Sequence, residues 1–190
     1  FKRPIFEHLE TLNKLITDED IANKLKKLCT LIKETFKNEG KIIFAGNGGS
    51  FADSQHLAAE FVCKFNSDRI PLPAISLGTN SSNLTAIGND YGYKYIFSKQ
   101  INGLAKPDDI LMAFTTSGNS ENILDAIITA KSKNLPVILI SGGSGGKAAE
   151  LLDDNDIKII VPSKRTSRIQ EIHLIIIHSI CECIDRYLSK

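Results

Sequence analysis

Net charge of either sign is almost absent from this sequence: 23 Lys and Arg face 22 Asp and Glu, a formal charge of +1. That balance gives no electrostatic bias toward nucleic acid, a membrane surface or an acidic partner, so a partner has to be argued from a site. Cysteine is scarce too. Cys29, Cys63, Cys181 and Cys183 lack the density and spacing of a disulfide framework. One C-x-C pair at 181–183 falls short of the four ligands of a structural zinc site, so reduced core thiols are expected. No signal peptide, lipidation motif or apolar run of transmembrane length is present, which leads to the expectation of a cytoplasmic chain with no membrane partner. Internal repeats and low-complexity segments are missing, and "SGGSGGK" at 141–147 reads as a local loop rather than a domain linker. Neither GxxxxGK[ST] nor GxGxxG occurs at any glycine turn, which excludes a P-loop.

What is there fits one domain. The 190 residues are 42% hydrophobic and 24% charged, enough for a substantial core. Five β-branched apolar runs recur, "KIIFAG" at 41, "AISLG" at 74, "DILMAFTTS" at 109, "PVILISG" at 136 and "IKIIVPS" at 157. Segments of helical period alternate with them at 51–64, 91–105, 119–134 and 146–153. Alternation of this kind predicts an α/β fold, a doubly wound parallel sheet with helices on both faces. Residues 1–38 form an N-terminal helical extension before the α/β core of 39–165. In it Leu12, Ile16, Ile21, Leu25, Leu28, Ile32 and Phe36 keep nearly helical spacing, and "TDED" at 17–20 is able to cap a second helix. Such an arm packs either on its own sheet or on another subunit, and the second is favoured. Residues 166–190 complete the single domain with a helix over 166–188, apolar on nearly every face of its middle and therefore expected to be buried on all sides.

Ligands of doubly wound sheets gather outside the carboxyl ends of strands, where loops feed helix N-termini. The first such loop, Gly46, Asn47, Gly48, Gly49 and Ser50, lets backbone N–H groups approach an anion, although Asn-Gly-Gly also makes an ordinary turn. The second is "TTSGNSEN" at 115–122. Its hydroxyls on Thr115, Thr116, Ser117 and Ser120 exceed what an N-cap needs and suit a phosphomonoester. The third, at 141–147, has fewer hydroxyls and reads as structural, its Lys147 facing solvent.

On the helix after the first loop, His56 and Glu60 are four apart and share a face. A solvated His–Glu pair is the plain alternative. The last helix changes the weighing, because Gln170, Glu171, His173 and His178 are polar groups where burial is expected, and burying them without partners is costly. Gln170 and His178 lie about 12 Å apart along the axis. A divalent metal or a substrate between the two helices would give such groups a purpose. His56, Glu60, Gln170 and His178 make an N/O set compatible with zinc, although Gln is an uncommon zinc ligand.

Four blocks in order, "GNGGSFADSQHLAAEF" at 46, "LTAIGNDYGY" at 84, "TTSGNSENI" at 115 and "RIQEIHLIIIH" at 168, resemble the phosphoheptose isomerases of the sugar-isomerase (SIS) domain family. The resemblance covers nearly the whole chain. It implies a five-stranded flavodoxin-like parallel sheet, a homotetramer with active sites between subunits, and conversion of sedoheptulose 7-phosphate to D-glycero-D-manno-heptose 7-phosphate for bacterial surface glycans. It further implies substrate contacts at Asn47, Gly48, Gly49, Asn89, Asp90, Thr115, Thr116, Ser117, Ser120 and Gln170, with Ser50 joining them from the first loop. One zinc ion on His56, Glu60, Gln170 and His178 is implied, with Glu60 and His178 as the acid/base pair. Glu171 and His173 are then structural or interfacial.

The chain departs from the family pattern at Asn80, where many relatives carry Asp, and at Ser167, where some do, so sugar preference is open at those two positions. Two rivals share the fold: a binding protein of the replication-initiator-associating type, and an SIS protein that acts on or senses another phosphosugar. The first lacks counterparts of Glu60 and His178, and the second, as a regulator, would carry an added DNA-binding segment, which is not seen here.

Overall fold

The computed structural model describes residues 2–188; Phe1, Ser189 and Lys190, included in the single-domain reading, lie outside the described residues. Each of the five apolar runs is a strand: β1 (Ile42–Gly46), β2 (Ala74–Ser76), β3 (Ile110–Thr115), β4 (Val137–Gly142) and β5 (Ile157–Val161). All pairs are parallel, in the order β2-β1-β3-β4-β5. In register, Phe44 stands beside Met112, Met112 beside Ile138, and Ile138 beside Ile157. Side chains alternate across a strand, so Phe44, Met112 and Ile138 enter one layer while Ile43, Leu111 and Leu139 enter the other. Each side chain of this size, fully buried, contributes about 1.5–3 kcal/mol.

The first layer holds α1 (Lys2–Ile16), α2 (Glu19–Lys37), α3 (Gly49–Val62) and α8 (Thr166–Leu188). The opposite layer holds α4 (Ser81–Asp90), α5 (Ser98–Leu104), α6 (Glu121–Ser132) and α7 (Gly146–Glu150). Helix α2 starts where "TDED" allows: Asp18 is its N-cap and accepts the N–H of Asp20 at 3.0 Å. Because β2 lies on one side of β1 while β3, β4 and β5 lie on the other, winding reverses between β1 and β3. A crevice opens at the carboxyl ends there. Among the described residues no helix is long and apolar enough to cross a membrane.

Three expectations need correction. The segment 91–105 is not one helix: α4 ends at Asp90, Gly92 follows at φ 103°, a 3-10 turn covers Tyr93–Tyr95, and α5 begins only at Ser98. Helix α4 was invisible in the apolar pattern because it contains no buried residue. Helix α8 has the bounds read from sequence but is not buried on every side; Ile175, Ser179 and Glu182 form an exposed stripe. Ile16, placed in the apolar pattern of the arm, is 69% exposed.

The arm folds back on α8 through polar contacts. Glu7 pairs with Arg165, His8 with Glu171 at 2.8 Å, and the Arg168 guanidinium donates to the Pro4 carbonyl and pairs with Glu171. Its outer side leaves Ile5, Phe6 and Leu9 exposed. Cys29 and Cys181 are buried free thiols, each pushed up to about 12 chiefly by burial, as expected of core cysteines; Cys183 is half-buried, and Cys63, just past α3, is exposed rather than in the core.

Candidate active site

Loops leave β1, β3 and β4 side by side. After β1, Asn47 and Gly48 turn the chain into α3, and Gly48 is the N-cap. After β3, residues 116–119 lead to Ser120, the N-cap of α6, whose side chain makes no capping bond. Asn47 and Asn122 tie the two loops: each side-chain amide donates to the other's oxygen at 2.8 Å. The Tyr93 hydroxyl donates to the same Asn47 oxygen at 3.2 Å.

Within the second loop, Thr115 Oγ1 accepts the N–H of Gly118 and Ser117 Oγ that of Asn119, each at 3.2 Å. As acceptors there, both hydroxyls keep their protons for a ligand. Gly118 sits at φ 68°, and a Cβ on it would overlap the Gly145 carbonyl. Only glycine allows that approach. Ala148 N donates to Gly118 O at 2.9 Å and Lys147 N to Asn119 Oδ1 at 3.2 Å, so the third loop buttresses the second.

Helices α3 and α8 run alongside each other in the same direction. At their starts Gly49 faces the Gln170 amide; two turns on, His56 meets His178; just past α3, Asn66 meets Asp185. His56 Nε2 lies 3.1 Å from Glu60 Oε1. The His178 ring stands edge-on to His56, centroids 5.2 Å apart at 77°, and stacks on Phe65 at 5.6 Å. Arg69 holds the end of α3: Nη2 donates to the Glu60 carbonyl at 2.7 Å and Nη1 to that of Phe61 at 2.9 Å, while Nε pairs with Asp185 at 2.8 Å. Asp185 also accepts the N–H groups of Asn66 and Ser67. Burial alone would raise its carboxyl; Arg69 and those amides outweigh this and hold it below the usual carboxylate range.

The seam therefore gathers His56, Glu60 and His178, and keeps Gln170 about 12 Å along α8 from His178. Among the described residues, no group of three or more His, Cys, Asp or Glu is close enough to hold a metal ion. Ser50 is buried at the head of α3, and its carbonyl accepts the Ser54 hydroxyl at 2.9 Å. Asn89 and Asp90 are exposed at the end of α4 and bonded to each other at 2.8 Å. His173 is fully buried; its Nε2 meets the Ser141 carbonyl at 3.2 Å, and burial lowers it to about 4.

Sequence reasoning missed Asp53, Phe65, Tyr93 and Asn122. Asp53 lies one turn before His56 with Oδ2 buried and without a partner among the described residues, and burial pushes its carboxyl up to about 6 against the pull of His56. Its i, i+3 spacing to His56 was the available signal. Asn122 closes the quoted "TTSGNSEN", where the hydroxyls drew attention instead.

The model of the SIS domain matches residues 7–142. A phosphoheptose isomerase of Neisseria meningitidis serogroup C / serotype 2a is 49% identical over 160 residues, 84% of this chain and 81% of its own. The structure of phosphoheptose isomerase GmhA from Neisseria gonorrhoeae superposes with a TM-score of 0.90 at 40% identity, covering 96% of this chain and 95% of its own. That of a phosphoheptose isomerase from Francisella tularensis gives 0.92 at 35% identity, with 96% and 94% covered. The domain match stops at Gly142, before α8, whereas the structural matches extend over nearly the whole chain.

Proposed function

The chain belongs to the SIS domain family and, within it, to the phosphoheptose isomerases; from that premise we propose that it converts sedoheptulose 7-phosphate to D-glycero-D-manno-heptose 7-phosphate. The observation that carries the reading is the contact of Glu60, His56 and His178 on one helical seam whose head meets a glycine turn and a hydroxyl-rich loop. From Gly49 to His56 is about 10 Å of helix, a span comparable to a seven-carbon chain. The phosphate end belongs at the loops and the reacting carbons at the seam.

The reaction needs one group for carbon-bound and one for oxygen-bound protons. Glu60 takes the proton from C1 of the ketose while O2 gains one, giving an enediol(ate). Return of the carbon-bound proton to C2 and loss of the O1 proton gives the aldose. His178 moves the proton between O1 and O2. Phe65 and His56 set its ring orientation, and Arg69 fixes the backbone from which Glu60 projects.

Zinc on His56, Glu60, Gln170 and His178 is part of the proposal. Two imidazoles, a carboxylate and an amide suit zinc, and Asp53, one turn before His56 and with its Oδ2 lacking a hydrogen-bond partner among the described residues, would be available as the acceptor that ligating histidines ordinarily have. When bound, the ion would polarise the sugar oxygens. A carboxylate that held the ion would be a weaker base, so Glu60 could not serve fully as ligand and as base at once.

The exposed apolar residues of α1 and the outward-facing Asn89 and Asp90 support a homotetramer in which one subunit completes another's site. A cytoplasmic location and a role in surface-glycan precursor synthesis go with this activity. An NMR assay of the sugar phosphates tests the reading. Turnover of sedoheptulose 7-phosphate by wild type, reduced by about 10²–10⁴ in Glu60→Gln and His178→Gln, is expected. Full activity in both variants would sink the acid/base assignment.

A further inference from the structure

A cavity of about 650 Å³ opens at the carboxyl ends of β3, β4 and β5, lined among others by Thr116, Ser117, Ser144, Ser163, Lys164 and Thr166. No carboxylate lines it. The β5–α8 connection brings two arginines beside Lys164, but both are committed to the arm: Arg165 to Glu7, and Arg168 to Pro4 O and Glu171. The Lys164 amine has no hydrogen-bond or ion-pair partner among the described residues. Lys147 does not line the cavity.

The 115–120 loop meets this cavity through Thr116 and Ser117. It offers hydroxyl protons and the free N–H groups at the head of α6, all neutral donors. A phosphate dianion held there meets hydroxyls, N–H groups and the positive end of the α6 dipole but no full positive charge unless the cavity supplies one, and an ammonium adds a Coulomb attraction that neutral donors lack. We propose that the phosphate group of the substrate lies between the 116–117 loop and Lys164, and that Lys164 is its counter-charge and a determinant of preference for phosphorylated over free sugars. The proposal rests on the isomerase reading for the substrate, but the site itself is defined by affinity for phosphate.

Wild type, Lys164→Ala, Lys164→Arg and the control Lys147→Ala are compared by kinetics on sedoheptulose 7-phosphate, with inorganic phosphate as competitive inhibitor. In Lys164→Ala, KM and the inhibition constant for phosphate rise about tenfold while kcat stays within about twofold. Lys164→Arg keeps near-wild-type values, and added salt weakens wild type more than Lys164→Ala. Unchanged KM and inhibition constant in a folded Lys164→Ala, or an equal loss in Lys147→Ala, overturns the assignment. If wild type turns over no phosphosugar, the isomerase reading fails. Calorimetric titration of inorganic phosphate into wild type and Lys164→Ala then still decides the site: tenfold weaker binding in the variant supports it, and equal binding overturns it.

Discussion

Gln170 lies against Gly49 so closely that a Cβ on Gly49 would come within 2.8 Å of both Cδ and Oε1 of the Gln170 amide. Gly49 has no positive φ and opens a helix, so alanine suits its backbone. The end of a flexible side chain is what must move. Gly49→Ala is therefore expected to fold as well as wild type and to displace Gln170 from its place beside the glycine turn. Misplacement of about 1 Å costs on the order of 100-fold in rate. Melting curves paired with turnover check this; wild-type turnover would show that the Gln170 position is not needed.

The same seam shows what sequence could and could not supply. Strand cores and the bounds of α8 were legible because burial on both faces leaves continuous β-branched runs, and burial on one side leaves a helical period. Helix α4 was not, since none of its residues is fully buried and only Leu84 and Ile87 pack partly on the core; its clearest local signal is Asn80, the N-cap that accepts the Asn83 N–H at 3.1 Å. For the site, i, i+4 spacing put His56 and Glu60 on one face, but nothing local says which turn of α8 meets which turn of α3. That register comes from packing, and it sets Gln170 against Gly49 and His178 against His56. Lys164 was silent for another reason: a lysine in a loop means something only when its neighbours' charges are seen to be spent.

Asp185 and Arg69 form a buried pair, with side chains 5% and 7% exposed. Removing one partner leaves an uncompensated charge, so Asp185→Ala is expected to cost about 3–5 kcal/mol in chemical denaturation. Arg69 then loses the anchor that directs it to the Glu60 carbonyl, and kcat falls with KM changing less. The folded-state carboxyl is depressed, so its contribution is present above the unfolded Asp value and is lost as pH falls through the folded one. Wild type thus loses more stability than the variant on acidification.

His173 gives the second pH dependence. Burial lowers it from 6.5 to about 4, with the Ser141 carbonyl opposing in part, and its Nδ1 has no partner among the described residues. Above pH 6.5 it is neutral in both states and contributes nothing. Between 6.5 and 4 the unfolded chain takes up a proton that the folded chain refuses, so stability falls by about 3 kcal/mol over that window. In His173→Phe, which faces Phe114 across 6.1 Å in wild type, this part of the acid loss disappears. Urea denaturation of both proteins at pH 7.5 and 4.5 reads it; an equal drop in both would place the titration elsewhere.

Zinc makes the sharpest demand on the seam. If His56, Glu60, Gln170 and His178 bind it, Gln170 must leave Gly49 and the ligand set must close further than His56, Glu60 and His178 do alone. Zinc added to chelated protein is then expected to raise Tm in wild type, because a ligand that binds only the folded state stabilises it, and to leave Tm unmoved in His56→Ala and His178→Ala. Asp53→Asn keeps the fold but weakens zinc binding about 10–100-fold, as loss of a carboxylate behind a ligating histidine does. Elemental analysis is then expected to give one zinc per chain in wild type, and chelation to remove activity that zinc restores. Full activity in metal-free protein would take zinc out of the mechanism and leave Glu60 free as the base throughout the cycle.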